Sequence, residues 1–155
     1  MNEQLTLPGI VPPPEATKTQ PEKRHLAGKM GGNIVSQVLL NLGIDTMQAP
    51  ELRPYDLVAD INSELGLVAK IQVKTQETFK GPFSFRKGKG LYKAGDFNIA
   101  ACVLLTTNSA IFSCGVPQKA LSYRVEDFQN PDFCSASWDI AINQYLNHLS
   151  AGLAA

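Results

Sequence analysis

The segment 67–75, LVAKIQVKT, is the strongest structural signal in the chain. Val68, Ile71, Val73 and Thr75 are β-formers, and a strand sends successive side chains to opposite faces. Ile71 and Val73 therefore enter one apolar layer, while Gln72 and Lys74 point together the other way. The preceding stretch 55–61, YDLVADI, is also strand-like. Asn62, Ser63 and Glu64 can turn the chain, and Gly66 opens the second strand. The two segments read as an antiparallel hairpin, whose pairing sets Asp56 beside the face that carries Gln72 and Lys74.

The flanking elements must cover such a sheet. Leu26, Met30, Ile34, Val38 and Leu42 recur at spacing four, with Val35 and Leu39 filling the same face, so a helix is predicted over 26–42. Gly43 stands where its C-cap belongs. Gly28, Gly31 and Gly32 weaken its first turns, each at about 1 kcal/mol against alanine. A short strand is expected at 44–49, stopped by Pro50, and another at FSFR, 83–86. Residues 87–96 read as a polar loop. Two apolar strands follow at 98–106 and 110–116, joined by Thr107, Asn108 and Ser109. A short helix is expected near 117–121. A C-terminal helix over 136–149 carries Trp138, Ile142, Tyr145 and Leu149 toward the core. Helix, meandering strands, then helix is an α/β sandwich with a mixed sheet, not a repeating βαβ fold. Residues 1–22 contain five prolines and little to bury, so they read as a flexible arm before one domain, 23–155.

Composition narrows the function classes. A chain of 155 residues, 44% hydrophobic and 18% charged, suits a single globular domain. Cys102, Cys114 and Cys134 are odd in number and lack metal-ligand spacing, which argues against a disulfide framework or a zinc motif. No apolar run is long enough to span a bilayer and the start has no signal-peptide pattern, so a cytoplasmic, non-membrane protein is expected.

The hairpin's polar face brings a carboxylate, an amide oxygen and an ammonium toward one point. That set suits hydrolysis of a phosphodiester, in which water must reach an anionic phosphorus. Asp56 and Gln72 offer the hard oxygen ligands that Mg²⁺ prefers. Lys74 can orient or activate the attacking water, or stabilise the charged transition state. The competing reading is a solvated polar face on a half-exposed hairpin.

These residues resemble the PD-(D/E)XK nuclease superfamily from about Leu26 to about Val116. Pro54-Tyr55-Asp56 corresponds to its aspartate region, with Tyr55 inserted after the proline, and Gln72-Val73-Lys74 to its (D/E)-x-K element. The phrase KIQVKT is similar to a branch that includes group I intron homing endonucleases, in which glutamine replaces the second acid. The resemblance implies a restriction-endonuclease-like αβββαβ core with a mixed central sheet flanked by helices. It also implies a Mg²⁺-dependent DNA endonuclease, with Mn²⁺ as a possible substitute, that leaves a 5′-phosphate. Catalysis would fall to Asp56, Gln72 and Lys74, and the metal to Asp56 and Gln72. One site per chain implies a homodimer or tetramer if both strands are cut.

The chain departs from the pattern at the first helix. Many relatives carry a glutamate there, whereas the corresponding position falls on or near Gly32. Asp56 is then the one sure anionic ligand. Asp60 shares its strand face but lies about 13 Å along, at a rise of ~3.3 Å per residue. Asp96 could arrive from the loop. A catalytically impaired nuclease fold that binds DNA or a protein stays open as the alternative.

Net charge is zero, but its distribution is uneven. Between Gly66 and Gly95 stand seven basic residues and one acid, Glu77. Lys80, Arg86, Lys87, Lys89 and Lys93, with Tyr92 to stack or contact sugar, are the expected DNA contacts. Lys23, Arg24 and Lys29 either extend this patch or merely solvate the arm.

Overall fold

The computed structural model describes residues 19–88 and 90–153. Lys89 and most of the proline-rich arm lie outside them. The first helix, α1, spans Gln20–Asn41. It starts earlier than its apolar periodicity suggests, and residues 20–22, assigned to the arm from sequence, form its first turn. Thr19 and Glu22 explain the start: the Thr19 N–H donates to Glu22 Oε2 at 2.9 Å, half of a capping box. Pro21 sits in the first turn, where a missing N–H costs nothing.

Five strands build the main sheet: β1 (Thr46–Gln48), β2 (Leu57–Asn62), β3 (Leu67–Gln76), β7 (Ile99–Leu104) and β8 (Ser109–Cys114). Their order is β1-β2-β3-β7-β8. The hairpin read from sequence is present, with Leu57 opposite Ile71 and Ala59 opposite Ala69 in antiparallel register. β3 and β7 run parallel, Ile71 opposite Ile99, and the other neighbours are antiparallel. The sheet is therefore mixed, as expected. The connection from β3 to β7 carries three two-residue strands, β4 (Phe83–Ser84), β5 (Arg86–Lys87) and β6 (Gly90–Leu91). β5 and β6 pair with each other across the junction between the strand expected at 83–86 and the stretch read as loop, and β4 pairs with β9 (Ala120–Leu121).

The short helix expected at 117–121 is not there. That segment holds β9, and the four-residue helix α2 lies at Val125–Phe128. Asp127 fixes its place by accepting the Arg124 N–H at 2.8 Å. The C-terminal helix α3 runs over Pro131–Leu153, longer than predicted at both ends. Asn130 Oδ1 accepts the Phe133 N–H at 3.2 Å and Pro131 opens the helix, a cap that the residues Asn130-Pro131 spell out.

Strand alternation divides the core in two. One layer joins Ala59, Ala69, Ile71, Val73, Ala101 and Val103 to Val35 and Leu39 of α1 and Trp138 of α3. The opposite face packs Ala100, Cys102 and Leu104 against Phe83, Phe85, Phe97 and Phe128. Cys102 and Cys134 are buried free thiols, and Cys114 is half-buried. Among the described residues no helix is long and apolar enough to cross a membrane.

α1 buries the middle of the face its sequence suggests but not its ends. Leu26, Met30 and Leu42 are more than two-fifths exposed, and the buried row is Gly31, Val35 and Leu39. Gly31 is the reason. A Cβ there would collide with the Thr75 hydroxyl and lie 3.0 Å from Thr75 Cβ. The helix settles on the glycine because only a missing side chain permits so close a crossing. Thr75 Oγ1 is buried at this contact without a hydrogen-bond partner.

Gly31→Ala should lower stability by about 1–3 kcal/mol through overpacking. Adding Thr75→Ala should recover part of that loss, because the nearest atom is gone. Urea unfolding of the two single variants and the double variant measures it. Equal losses in Gly31→Ala with and without Thr75→Ala would mean that this contact does not set the crossing.

Candidate active site

The site forms where β2 and β3 differ in length. β3 pairs with β7 as far as Gln76, but on its other side β2 begins only at Leu57, opposite Ile71. Beyond that point the β3 edge has no strand partner, and an edge amide needs an acceptor. Asp56 supplies one. Its N–H donates to the Ile71 carbonyl at 2.8 Å, and its Oδ2 accepts the Val73 N–H at 2.8 Å. The Ala49 N–H donates to the Asp56 carbonyl at 2.9 Å, tying the residue to the end of β1.

Lys74 follows Val73. Its Nζ donates to the Tyr92 hydroxyl at 3.4 Å and lies 5.5 Å from the centre of the Tyr92 ring. Tyr92 is held edge-on by Phe97, with ring centres 5.1 Å apart. Gln72 shares the Lys74 face by alternation and is 7% exposed, and its Nε2 makes a long 3.4 Å contact with the Val73 carbonyl. Among the described residues the Gln72 amide oxygen accepts no hydrogen bond, and neither does the second Asp56 oxygen. The one ion pair among those residues joins Arg124 and Asp127 at 3.4 Å, so Asp56 and Lys74 influence each other without direct contact.

Burial shifts both groups. Asp56 is raised above the ordinary carboxylate value because desolvation outweighs the Val73 N–H and the Lys74 charge, which favour ionisation. Lys74 is lowered by desolvation, partly offset by the Asp56 charge. Tyr92 is raised by burial and then by the charges of Asp56 and Asp96. Asp56, Lys74 and Tyr92 are thus one electrostatic unit.

Two clefts adjoin Asp56 and Lys74. The larger, of about 880 Å³, is bordered by Lys23, Arg24 and Gly28 of α1 and by Lys74, Gln76 and Lys80. The smaller, of about 350 Å³, lies between α1 and the start of β2, with Arg24, Lys29, Gly28, Gly32 and Asp56 in its walls. Of the basic residues singled out in the 80–93 stretch, Lys80 lines the same cleft as Lys74. Arg86 and Lys87 are exposed on β5, and Lys93 is exposed in the loop after Tyr92, outside both clefts. Asp60 is on β2 and Asp96 accepts the Lys93 N–H at 2.7 Å, and neither lines the cleft that Asp56 borders. The α1 residues are the ones that sequence reading left undecided. Their signal was the spacing of Arg24, Gly28 and Gly32, four residues apart and so on one side of a helix.

No protein-family model matches the chain, and no curated protein matches it. Among solved structures, the bacterial homing endonuclease I-Ssp6803I is similar, with a TM-score of 0.52 over 77% of this chain and 93% of that one, at 15% identity. The fold is nuclease-like. At that identity the likeness concerns architecture. Within this nuclease-like fold the Asp56–Lys74 unit sits at the free edge of a central strand, beside the first helix.

The raised Asp56 value has a testable sign. A carboxyl that ionises less readily when folded makes its favourable contribution in the protonated state, and that contribution is lost as pH rises through the folded value. Asp56→Asn should therefore be at least as stable as wild type at pH 7. The difference should vanish as pH falls below the ordinary carboxylate value of 3.8. Lys74→Met should raise the Asp56 pKa further by removing a favourable charge. Carboxyl NMR titration and thermal melts across pH test both. A lower Asp56 pKa in Lys74→Met would contradict the coupling.

Proposed function

We propose that the protein is a metal-dependent DNA endonuclease of the PD-(D/E)XK type, acting through Asp56, Gln72 and Lys74. The observation that carries this reading is the Asp56 carboxylate, fixed on the Val73 amide at 2.8 Å with the shifted Lys74 amine one residue away. The nuclease-like fold supports it. So does the border of the larger cleft, where Lys23, Arg24, Lys74 and Lys80 outnumber the one acid, Glu77, and suit a phosphodiester backbone.

The donor set fits Mg²⁺ or Mn²⁺ in kind, because the unpartnered Asp56 and Gln72 oxygens are hard ligands. It is sparse in charge. Among the described residues no three His, Cys, Asp or Glu side chains group around a common point. Asp56 and Gln72 would hold the ion. When bound, it would neutralise phosphate charge and acidify water. Lys74 acts through Nζ. Its lowered pKa eases proton exchange with the nucleophile, and its charged form stabilises the developing negative charge. Tyr92 orients that amine from its other side. Cutting two strands with one site per chain calls for a dimer or tetramer.

A second reading is a nuclease fold that binds DNA without cutting it. The single carboxylate favours it.

Supercoiled DNA with Mg²⁺ or Mn²⁺ separates the two. Wild type should nick or linearise it, and Asp56→Ala and Lys74→Ala should each lose about 10²-fold or more in rate. Equal cleavage by all three proteins would remove the site from the mechanism. Binding without cleavage by wild type would favour the second reading. A Cβ at Gly32 meets no atom within 4 Å, so Gly32→Glu should fold and place an acid at the Asp56 cleft. It should lower the Mg²⁺ concentration needed for half-maximal cleavage severalfold. An unchanged requirement would place the ion elsewhere.

A further inference from the structure

We infer that the two clefts form one continuous track for the DNA backbone, crossing α1 at Arg24 and Gly28. This rests on the DNA-directed reading above and adds the path that the strand takes. Arg24 and Gly28 are the α1 residues that border both clefts. They stand one turn apart on the same side of the helix, so they form a single saddle between the Lys74 side and the Asp56 side.

The charges along the saddle fit a polyanion. Lys23, Lys74 and Lys80 border the larger cleft with Arg24 and a single acid, Glu77, and Lys29 borders the smaller one with Arg24 and Asp56, so cations outnumber acids along the whole path. The cations therefore come from two separate segments of the chain and face one another across a gap. That arrangement suits a phosphate chain lying between them. A charge run that merely solvates a helix would spread away from the fold. Among the described residues Lys23, Arg24, Lys29, Lys74 and Lys80 enter no ion pair, so each is free to neutralise a phosphate.

Gly28 keeps the saddle low. Packing does not account for it: a Cβ there would meet nothing within 4 Å, in contrast to Gly31. A glycine inside a helix still destabilises it. Passage of a ligand backbone close to the helix is a physical use for the missing side chain.

The test is DNA affinity without cleavage, read by fluorescence anisotropy of a short labelled duplex in EDTA across a KCl series. Arg24→Gln and Lys23→Gln should each weaken binding severalfold and flatten the log K against log[salt] slope by about 0.9. Lys119→Gln, an exposed lysine away from both clefts, should leave the slope unchanged. Gly28→Leu should raise the melting temperature, since leucine favours helix, yet weaken binding about tenfold, the equivalent of 1.4 kcal/mol. Wild-type binding with unchanged slope in Arg24→Gln and unchanged affinity in Gly28→Leu would overturn the track alone. Absence of wild-type binding at low salt would overturn the DNA reading together with it.

Discussion

The hydrogen bond from the Val73 amide to the Asp56 carboxylate is the contact on which the proposed chemistry turns. β3 runs past the start of β2, and the edge it leaves bare is in the middle of the sheet, next to the parallel pairing with β7. An uncapped amide there would carry the full cost of desolvation. Filling the gap with an acid satisfies the backbone and immobilises the acid together. The carboxylate gains a fixed orientation from the main chain and loses water by the same placement. Hence the raised Asp56 and the lowered Lys74: shared burial brings the two values toward each other, and their mutual attraction only partly offsets it. Perturbed acid–base pairs of this kind cluster at functional sites.

The three glycines of α1 stand in two different relations to this centre. Gly31 is explained by Thr75, which would collide with any side chain there. By letting the helix down onto β3 it fixes the rotation of α1 about its axis. That rotation buries Val35 and Leu39 and leaves Leu26, Met30 and Leu42 partly in solvent. It also turns the row of Arg24, Gly28 and Gly32 toward the clefts beside Asp56 and Lys74. A packing constraint in the first layer thus determines which helix residues overlook the site.

Much of the sheet was legible because alternation is a local property. The segment LVAKIQVKT announces which residues face which layer, and the hairpin register follows from the turn at 62–66. The common face of Gln72 and Lys74 was legible for the same reason, whereas the burial of Gln72 was not. Helix boundaries at Thr19 and Asn130 were written in their capping residues, Thr19 with Glu22 and Asn130 with Pro131, but apolar periodicity drew attention inward. The rotation of α1 was not legible. It depends on one contact between residues 31 and 75, and the broad apolar face, which holds both the row of Ile34 and Val38 and that of Val35 and Leu39, does not say which row lies deepest. The helix expected at 117–121 failed because that stretch instead supplies a strand partner to β4, a pairing between segments nearly forty positions apart. Arg24 was ambiguous for a similar reason: its neighbours across the cleft, Lys74 and Lys80, come from distant sequence.

The balance of charge around the clefts bears on how a cation would be recruited under the proposed function. Asp56 in the smaller cleft and Glu77 in the larger are outnumbered by Lys23, Arg24, Lys29, Lys74 and Lys80. Two carboxylates in separate clefts, outnumbered by ammonium and guanidinium groups, make a poor trap for a free divalent ion, which must give up strongly held water to bind. The same surroundings are favourable to a phosphodiester. An arriving phosphate would offset the surrounding positive charge and add its own oxygens to those of Asp56 and Gln72. Mg²⁺ sites built on one or two carboxylates commonly draw their remaining ligands from substrate phosphates. On that logic the neutral Gln72 and the acid-free first helix need not mark a decayed site. They suit one in which metal and nucleic acid bind together, so that apparent metal affinity rises with DNA concentration and the DNA-free protein holds the ion weakly.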